Sequence, residues 1–179
     1  MLPAAFRDPS PRIMSTHLKN AHPVVGQGPL GQYLDPSKEL SDLLNALQVM
    51  YRDNNLQINL DVGSAGNLPI DREDMLELAA NQIDNGGKWA RSRVDIRLRS
   101  TDRETRLIVE DDGPGVFEEK FESLSGRGVR LDETLQGQGL GLSIARLISE
   151  QYHGALLFDR SEKLGGLRAT AVLNLDSIN

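Results

Sequence analysis

Apolar residues recur along this chain with two periods, and the stretches of each period are easily separated. Leu40, Leu43, Leu44, Leu47 and Tyr51 stand at i, i+3, i+4, i+7 and i+11, one stripe of a helix. Just ahead of them, Asp35-Pro36 offers an N-cap acceptor and a proline for the first helical position, so a helix is predicted from there. Gln57 to Val62 alternates as a half-buried strand does. A second helix is predicted from Asp71 to Trp89, with Met75, Ala79 and Ile83 turned toward a sheet. Two strands then flank a polar turn. Val94, Ile96 and Leu98 share one face of VDIRLR, and Leu107, Val109 and Asp111 share one face of RLIVED. A third helix is predicted over Leu140–Gln151, with an apolar stripe of Leu140, Ile144, Leu147 and Ile148, before strands near Ala155–Asp159 and Leu167–Leu175.

Helices interspersed with strands joined by tight turns predict an α+β fold: a two-layer α/β sandwich whose mixed, mostly antiparallel sheet is covered on one face by three helices. Residues 113–139 are glycine-rich and largely without period, which predicts a long loop, and such loops in compact domains are more often functional than accidental. Pro3, Pro9, Pro11, Pro23 and Pro29 crowd the start of the chain, with RIMSTHLKNA able to form one or two helical turns between them. The domain boundary is therefore set near Asp35, with residues 1–34 as linker or tail and 35–179 as the folded domain.

Size and composition narrow the class. With 179 residues, 39% of them apolar, the chain can build one core. A net charge of −6 argues against a nucleic-acid surface. No run approaches the roughly 20 apolar residues that span a bilayer, and no signal peptide opens the chain. The absence of cysteine excludes disulfides and thiolate metal sites. These features lead to the expectation of a soluble, acidic, cytoplasmic domain.

Three stretches carry candidate chemistry. On the second helix, Glu77, Asn81, Asn85 and Lys88 fall within an arc of roughly 80°. A solvated face is one reading. A site is the other, because asparagine is a mediocre helix former and amide oxygens are hard ligands suited to Mg²⁺. Gly86-Gly87 in the same helix reads either as a C-terminal cap or as a place where something flat approaches the backbone. The second stretch is VEDDGPGV. Asp111 is the last inward position of its strand, where a carboxylate needs a donor such as the exocyclic amine of adenine, and Gly113 and Gly115 let the chain turn without Cβ clashes. Third, Gly137, Gly139 and Gly141 run into the third helix, where free backbone N–H groups can meet a phosphate. The spacing matches neither the dinucleotide nor the P-loop pattern.

Taken in order, these three stretches resemble the ATP-binding catalytic domain of sensor histidine kinases, within the superfamily (GHKL) shared with gyrase, heat-shock chaperone and mismatch-repair ATPases. ELAANQIDNGGKWA looks like the N box, EDDGPGV like the first glycine box and GQGLGLSIA like the second. The layout of SGRGVRLDETLQGQGLGLSIARLISEQYHG is similar to that of kinases of the PhoQ type. The likeness covers about Asp35 to Leu175 and implies the Bergerat ATP-binding fold. By that likeness, Asn81 holds Mg²⁺, Asn85 and Lys88 meet the phosphates of ATP, and Asp111 accepts the adenine amine beside Gly113 and Gly115. Gly137, Gly139, Gly141 and Leu142 form the hinge of the ATP lid, and Arg127 and Arg130 sit in the lid, able to neutralise phosphate charge. Glu77 occupies the acidic N-box position, and Phe117 or Phe121 is either a lid anchor or plain core. The implied activity is donation of the γ-phosphoryl group to a histidine on a separate dimerisation domain, in a two-component phosphorelay that reaches a response regulator indirectly. The likeness leaves open whether the parent protein is anchored in the inner membrane with this domain facing the cytoplasm.

The sequence departs from the family in three places. His17, His22 and His153 lack the acceptor-histidine context, Gly86-Gly87 replaces a more helix-friendly pair, and the lid has no clear F-x-x-F. Alternatives are a degenerate ATP-binding or interaction module and an anti-sigma-type serine kinase. A repair or topoisomerase ATPase would need a second domain.

Overall fold

The computed structural model describes residues 34–51, 55–63, 66, 68–115 and 140–175. In chain order these form α1 (Pro36–Met50), β1 (Gln57–Val62), α2 (Arg72–Trp89), β2 (Arg93–Ser100), β3 (Glu104–Asp111), α3 (Leu140–Gln151), β4 (Ala155–Arg160) and β5 (Leu167–Asn174). The helix starts are set by side chains. Asp35 accepts from the N–H groups of Ser37 and Lys38 at 3.0 and 3.3 Å, and Asp71 from those of Glu73 and Asp74 at 2.8 and 3.3 Å. Leu34 pairs with Leu68 and is buried, so the residue ahead of the first cap belongs to the core.

The sheet runs β1-β2-β3-β5-β4. β1 and β2 are parallel, a pairing that needs a crossover, and α2 supplies it. The other three pairings are antiparallel. Ile58, Leu60, Val62, Val94, Ile96, Leu98, Leu107, Val109, Ala169, Ala171 and Leu173 fill the face beneath the helices. The opposite face carries a paired charged layer. Glu110, fully buried, accepts from Arg97, from Arg168 Nε at 2.8 Å and from Ser161 Oγ at 2.9 Å. Asp95 accepts from Arg93 Nε at 2.8 Å, Lys163 Nζ at 2.6 Å and Asn59 Nδ2 at 2.7 Å. The expected sandwich is therefore present, with the helices of the described residues on one face.

One helical stripe differs from expectation. In α3 the buried residues are Leu142, Ala145, Ile148 and Ser149, while Leu147 is 64% exposed. The helix lies against α2 as well as against β4 and β5. Its buried arc is therefore centred near Ala145 and includes a serine, whose hydroxyl is satisfied by the Ala145 carbonyl at 2.8 Å. Of the predicted stripe, Ile148 is buried and Ile144 packs partly buried against the core, so counting apolar residues finds one edge of the arc and misses its centre.

α2 is seated by contacts that the sequence left open. The helical ladder passes through the glycines, with the Ala90 N–H donating to the Gly86 carbonyl at 2.8 Å, so Gly86 is interior and not a cap. A Cβ on Gly86 would lie 3.2 Å from Val109 Cγ1, and one on Gly87 would lie 2.8 Å from Tyr51 Cζ. The flat object against the backbone is the Tyr51 ring. Its hydroxyl donates to Asp84 Oδ1 at 2.6 Å and lies 3.1 Å from the Asp84 carbonyl. At the other end, the Tyr152 hydroxyl donates to Asp74 Oδ2 at 2.7 Å and accepts from the Asp71 N–H at 3.0 Å. Two tyrosines, from the ends of α1 and α3, thus fasten both ends of α2. Gln82, also in α2, is sealed from solvent and has no hydrogen-bond partner among the described residues, an arrangement that costs about 1–3 kcal/mol.

In isolation, Gly87→Ala gains up to about 1 kcal/mol of helix propensity. Here overpacking against Tyr51 outweighs it, so urea unfolding of Gly87→Ala is expected to show a net loss of roughly 1–2 kcal/mol. In a Tyr51→Ala background the same change should become neutral or stabilising. A loss of equal size in both backgrounds would show that the ring is not what excludes the methyl group.

Candidate functional site

The polar stripe of α2 divides by environment. Asn81 Nδ2 donates to the Glu77 carbonyl at 2.8 Å. Because that carbonyl can only accept, the amide is fixed with Oδ1 pointing outward as an acceptor. A Cβ on Gly141 would lie 2.9 Å from that Oδ1, so the first turn of α3 is brought closely against Asn81. One turn further on, Asn85 is 8% exposed, and its amide has no hydrogen bond among the described residues. Lys88 is ion-paired with Asp84 at 2.5 Å, the carboxylate that Tyr51 holds. Glu77 is exposed. The result is a row of one oriented amide oxygen, one buried amide and one half-exposed ammonium. Such a row suits a hydrated divalent cation and the oxygens of a polyphosphate.

The acid pair at the end of β3 splits into two roles. Asp112 Oδ1 accepts from the N–H groups of Arg91, Ser92 and Arg93 at 2.8, 3.0 and 3.0 Å, and its Oδ2 accepts from Ser92 Oγ at 2.6 Å. Burial alone would raise its pKa, but the Ser92 hydroxyl and those amides outweigh it and hold the carboxyl at about 2. Asp112 therefore secures the turn between α2 and β2. Asp111 is buried at the helix-facing end of β3. Its Oδ1 takes both of its bonds, from the Gly113 N–H at 2.8 Å and the Leu167 N–H at 3.3 Å. Among the described residues Oδ2 takes none. Burial pushes this carboxyl above the usual carboxylate range, only partly offset by the two amides. A carboxylate so placed is an acceptor waiting for an N–H donor.

These pieces converge along α2. A Cβ on Gly113 would lie 2.3 Å from the Trp89 carbonyl, so the turn after β3 rests on the C-terminal end of the helix. Gly115 has φ +70°, the left-handed region, which glycine enters freely. From Asn81 to Trp89 the helix rises about 12 Å. Leu142 contributes its side chain to the core. Arg127, Arg130, Gly137 and Gly139 lie outside the described residues, as do Phe117, Phe121, His17 and His22. Trp89, 36% exposed beside the Gly113 turn, and Gly166 with Leu167, which contact Asp111, were not singled out in the sequence. The glycine pair GG before β5 was the only signal that could have pointed to the last two.

With this geometry established, comparison defines the class. Residues 70–177 match the family described as histidine kinase-, DNA gyrase B- and HSP90-like ATPases, and the chain belongs to that family. Within it, the chain is 40% identical over 152 residues to the sensor protein kinase CarS of Pseudomonas aeruginosa, covering 85% of this chain and 34% of that protein. It is 37% identical over 144 residues to the sensor protein PhoQ of Escherichia coli K12, covering 80% and 29%. The chain thus spans about a third of the length of these curated relatives. Among solved structures, the catalytic domain of histidine kinase ThkA superposes with a TM-score of 0.68 at 18% identity, covering 80% of this chain and 97% of that one. The mycobacterial sensor histidine kinase MprB superposes at 0.65 and 22%, covering 80% and 97%. No helix of the described residues is long and apolar enough to cross a membrane.

The folded-state pKa of Asp111 is raised. Its ionisation therefore adds no penalty below about pH 4, where the carboxyl is protonated folded or unfolded, and an increasing one as pH rises through the folded pKa. Asp111→Asn keeps an acceptor for both amides and removes the charge. Its thermal midpoint should equal or exceed wild type at pH 7, with the gap closing toward pH 4. A midpoint well below wild type at pH 7 would mean that the ionised carboxylate stabilises the fold.

Proposed function

We propose that this chain is the catalytic domain of a two-component sensor histidine kinase, binding Mg·ATP along α2 and donating the γ-phosphoryl group to a histidine on a separate dimerisation domain. The observation that carries the reading is the division of labour at Asp111. Oδ1 is saturated by backbone amides and Oδ2 has no bond among the described residues, so the carboxylate is preset for one incoming donor, which the exocyclic amine of adenine provides. At the other end of the helix, Asn81 Oδ1 is the atom to hold Mg²⁺, with Asn85 and Lys88 toward the phosphates. The cation would neutralise phosphate charge in the transition state. This chain's residues supply binding, orientation and further charge neutralisation, the main sources of catalysis in phosphoryl transfer.

In this reading Glu77 lies beside the phosphates, where water remains accessible, and Arg127 and Arg130 add positive charge from the lid. Gly137, Gly139 and Gly141 supply the hinge. Residues 35–179 are the catalytic unit, and residues 1–34 connect it to the dimerisation domain. The response regulator is reached only through the phosphohistidine, no nucleic acid takes part, and the domain works in the cytoplasm whether or not the parent is membrane-anchored.

Trp89 is the sole tryptophan of the chain and stands beside the Gly113 turn, so its fluorescence reports on the site. ATP should change it saturably, and more tightly with Mg²⁺ than without. Asp111→Asn turns a donor toward the adenine amine and should weaken ATP by roughly 10- to 100-fold, the worth of a hydrogen bond to a charged group. Asn81→Ala should abolish the Mg²⁺ dependence. With a separately made dimerisation domain from a related kinase and ATP labelled in the γ-phosphate, the labelled product should be acid-labile. An unchanged affinity in Asp111→Asn would refute the adenine assignment, and an acid-stable product would refute the histidine acceptor.

A further inference from the structure

We propose that the β4–β5 hairpin, through Gly166, is a specificity-determining part of the nucleotide site that aims the Asp111 carboxylate at the base amine. This rests on the nucleotide reading above and adds a positioning element that lies outside the glycine-rich stretches.

The hairpin holds Asp111 by its backbone. The Gly166 N–H donates to the Asp111 carbonyl at 3.2 Å, and the next N–H, of Leu167, donates to Oδ1 at 3.3 Å. A Cβ on Gly166 would lie 2.2 Å from Oδ1, 2.4 Å from the Asp111 carbonyl oxygen and 2.7 Å from the Gly113 nitrogen. Two of those three neighbours are backbone, so any larger residue would displace the carboxylate together with the end of β3 that carries it. On the other flank, the Gly113 N–H donates to the same Oδ1. A carboxylate otherwise turns freely over a broad range about its last bond. Two amides converging on one oxygen from opposite chain segments fix the plane and leave Oδ2 as the acceptor for a ligand.

The hairpin is itself braced on the far face of the sheet. Ser161 Oγ donates to Glu110 Oε1 at 2.9 Å and accepts from the Leu164 N–H at 3.0 Å. Lys163 Nζ reaches Asp95 at 2.6 Å, and the Ser161 N–H donates to the Gly166 carbonyl at 2.8 Å. Gly165 closes the turn at φ +85°. Glu110 and Asp111 are consecutive in β3 and point to opposite faces, so one hairpin grips the end of that strand from both sides.

The test compares ATP with inosine triphosphate, which keeps the ribose and phosphates and replaces the amine by a carbonyl, with Mg²⁺ present and Trp89 fluorescence as readout. Wild type should prefer ATP by roughly 10- to 100-fold. In Gly166→Ala, ATP affinity should fall to near that of inosine triphosphate, whose own affinity should stay within about threefold of wild type, because its phosphate contacts are intact. Ser161→Ala, which loosens the hairpin without a clash, should reduce the preference in the same direction by a smaller factor, and it carries the test if Gly166→Ala does not fold. An unchanged ATP preference in either folded variant would overturn the proposal, as would an equal loss for both nucleotides, which marks a general structural defect. Wild type that binds neither nucleotide would refute the nucleotide reading itself. Wild type that binds both equally would refute the Asp111 assignment.

Discussion

The close seating of α2 on the sheet is the constraint from which the rest of this structure follows. Gly86 lets the helix backbone approach Val109, and Gly87 lets it accept the face of Tyr51. Each glycine costs helix stability on its own, so the helix keeps its shape through tertiary contacts, with a tyrosine hydrogen-bonded near either end. That seating brings Trp89 to the turn after β3 and Asn81 to the first turn of α3. Were the helix to stand farther from the sheet, the amides of α2 and the carboxylate of β3 would no longer border one region.

The second theme is how the molecule treats buried carboxylates. Buried Asp95 and Glu110 and half-buried Asp112 are each surrounded by donors, cations in the first two cases and backbone amides with a hydroxyl in the third. Burying a charge demands such compensation. Asp111 is the exception. It receives two amides on a single oxygen, and burial leaves its proton affinity raised. A partly compensated carboxylate beside three fully compensated ones marks the place where the fold gives up stability for an acceptor kept ready, a pattern associated with functional sites. The hairpin that orients it is held by the same ionic layer that covers the open face of the sheet, so that layer, remote from the helices, bears on the geometry of the site.

Local signals in the sequence were sufficient for most of the architecture. Asp35-Pro36 and Asp71 determine the helix starts through their own side chains, and the period-two runs of β1, β2 and β3 need only a buried face to become strands. Asp111 as the last inward residue of β3 followed from the same alternation. The family likeness lay equally in local strings, and the match over residues 70–177 agrees with it. The full buried arc of α3 was not legible, because its centre depends on where α2 lies, and neither was the meaning of Gly86-Gly87, because the ring that needs the space comes from a residue more than thirty positions away.

What the sequence by itself determined, then, was the set of elements, their order, and the chemical character of the α2 stripe and the DDGPG turn, since these arise from side chains acting within a few residues of one another. Only the tertiary structure decided that Asp112 secures the turn between α2 and β2, where the buried arc of α3 is centred, and that Gly166 touches Asp111. Those outcomes depend on distances between segments far apart in the chain, and such distances are set when the helices and the sheet pack together.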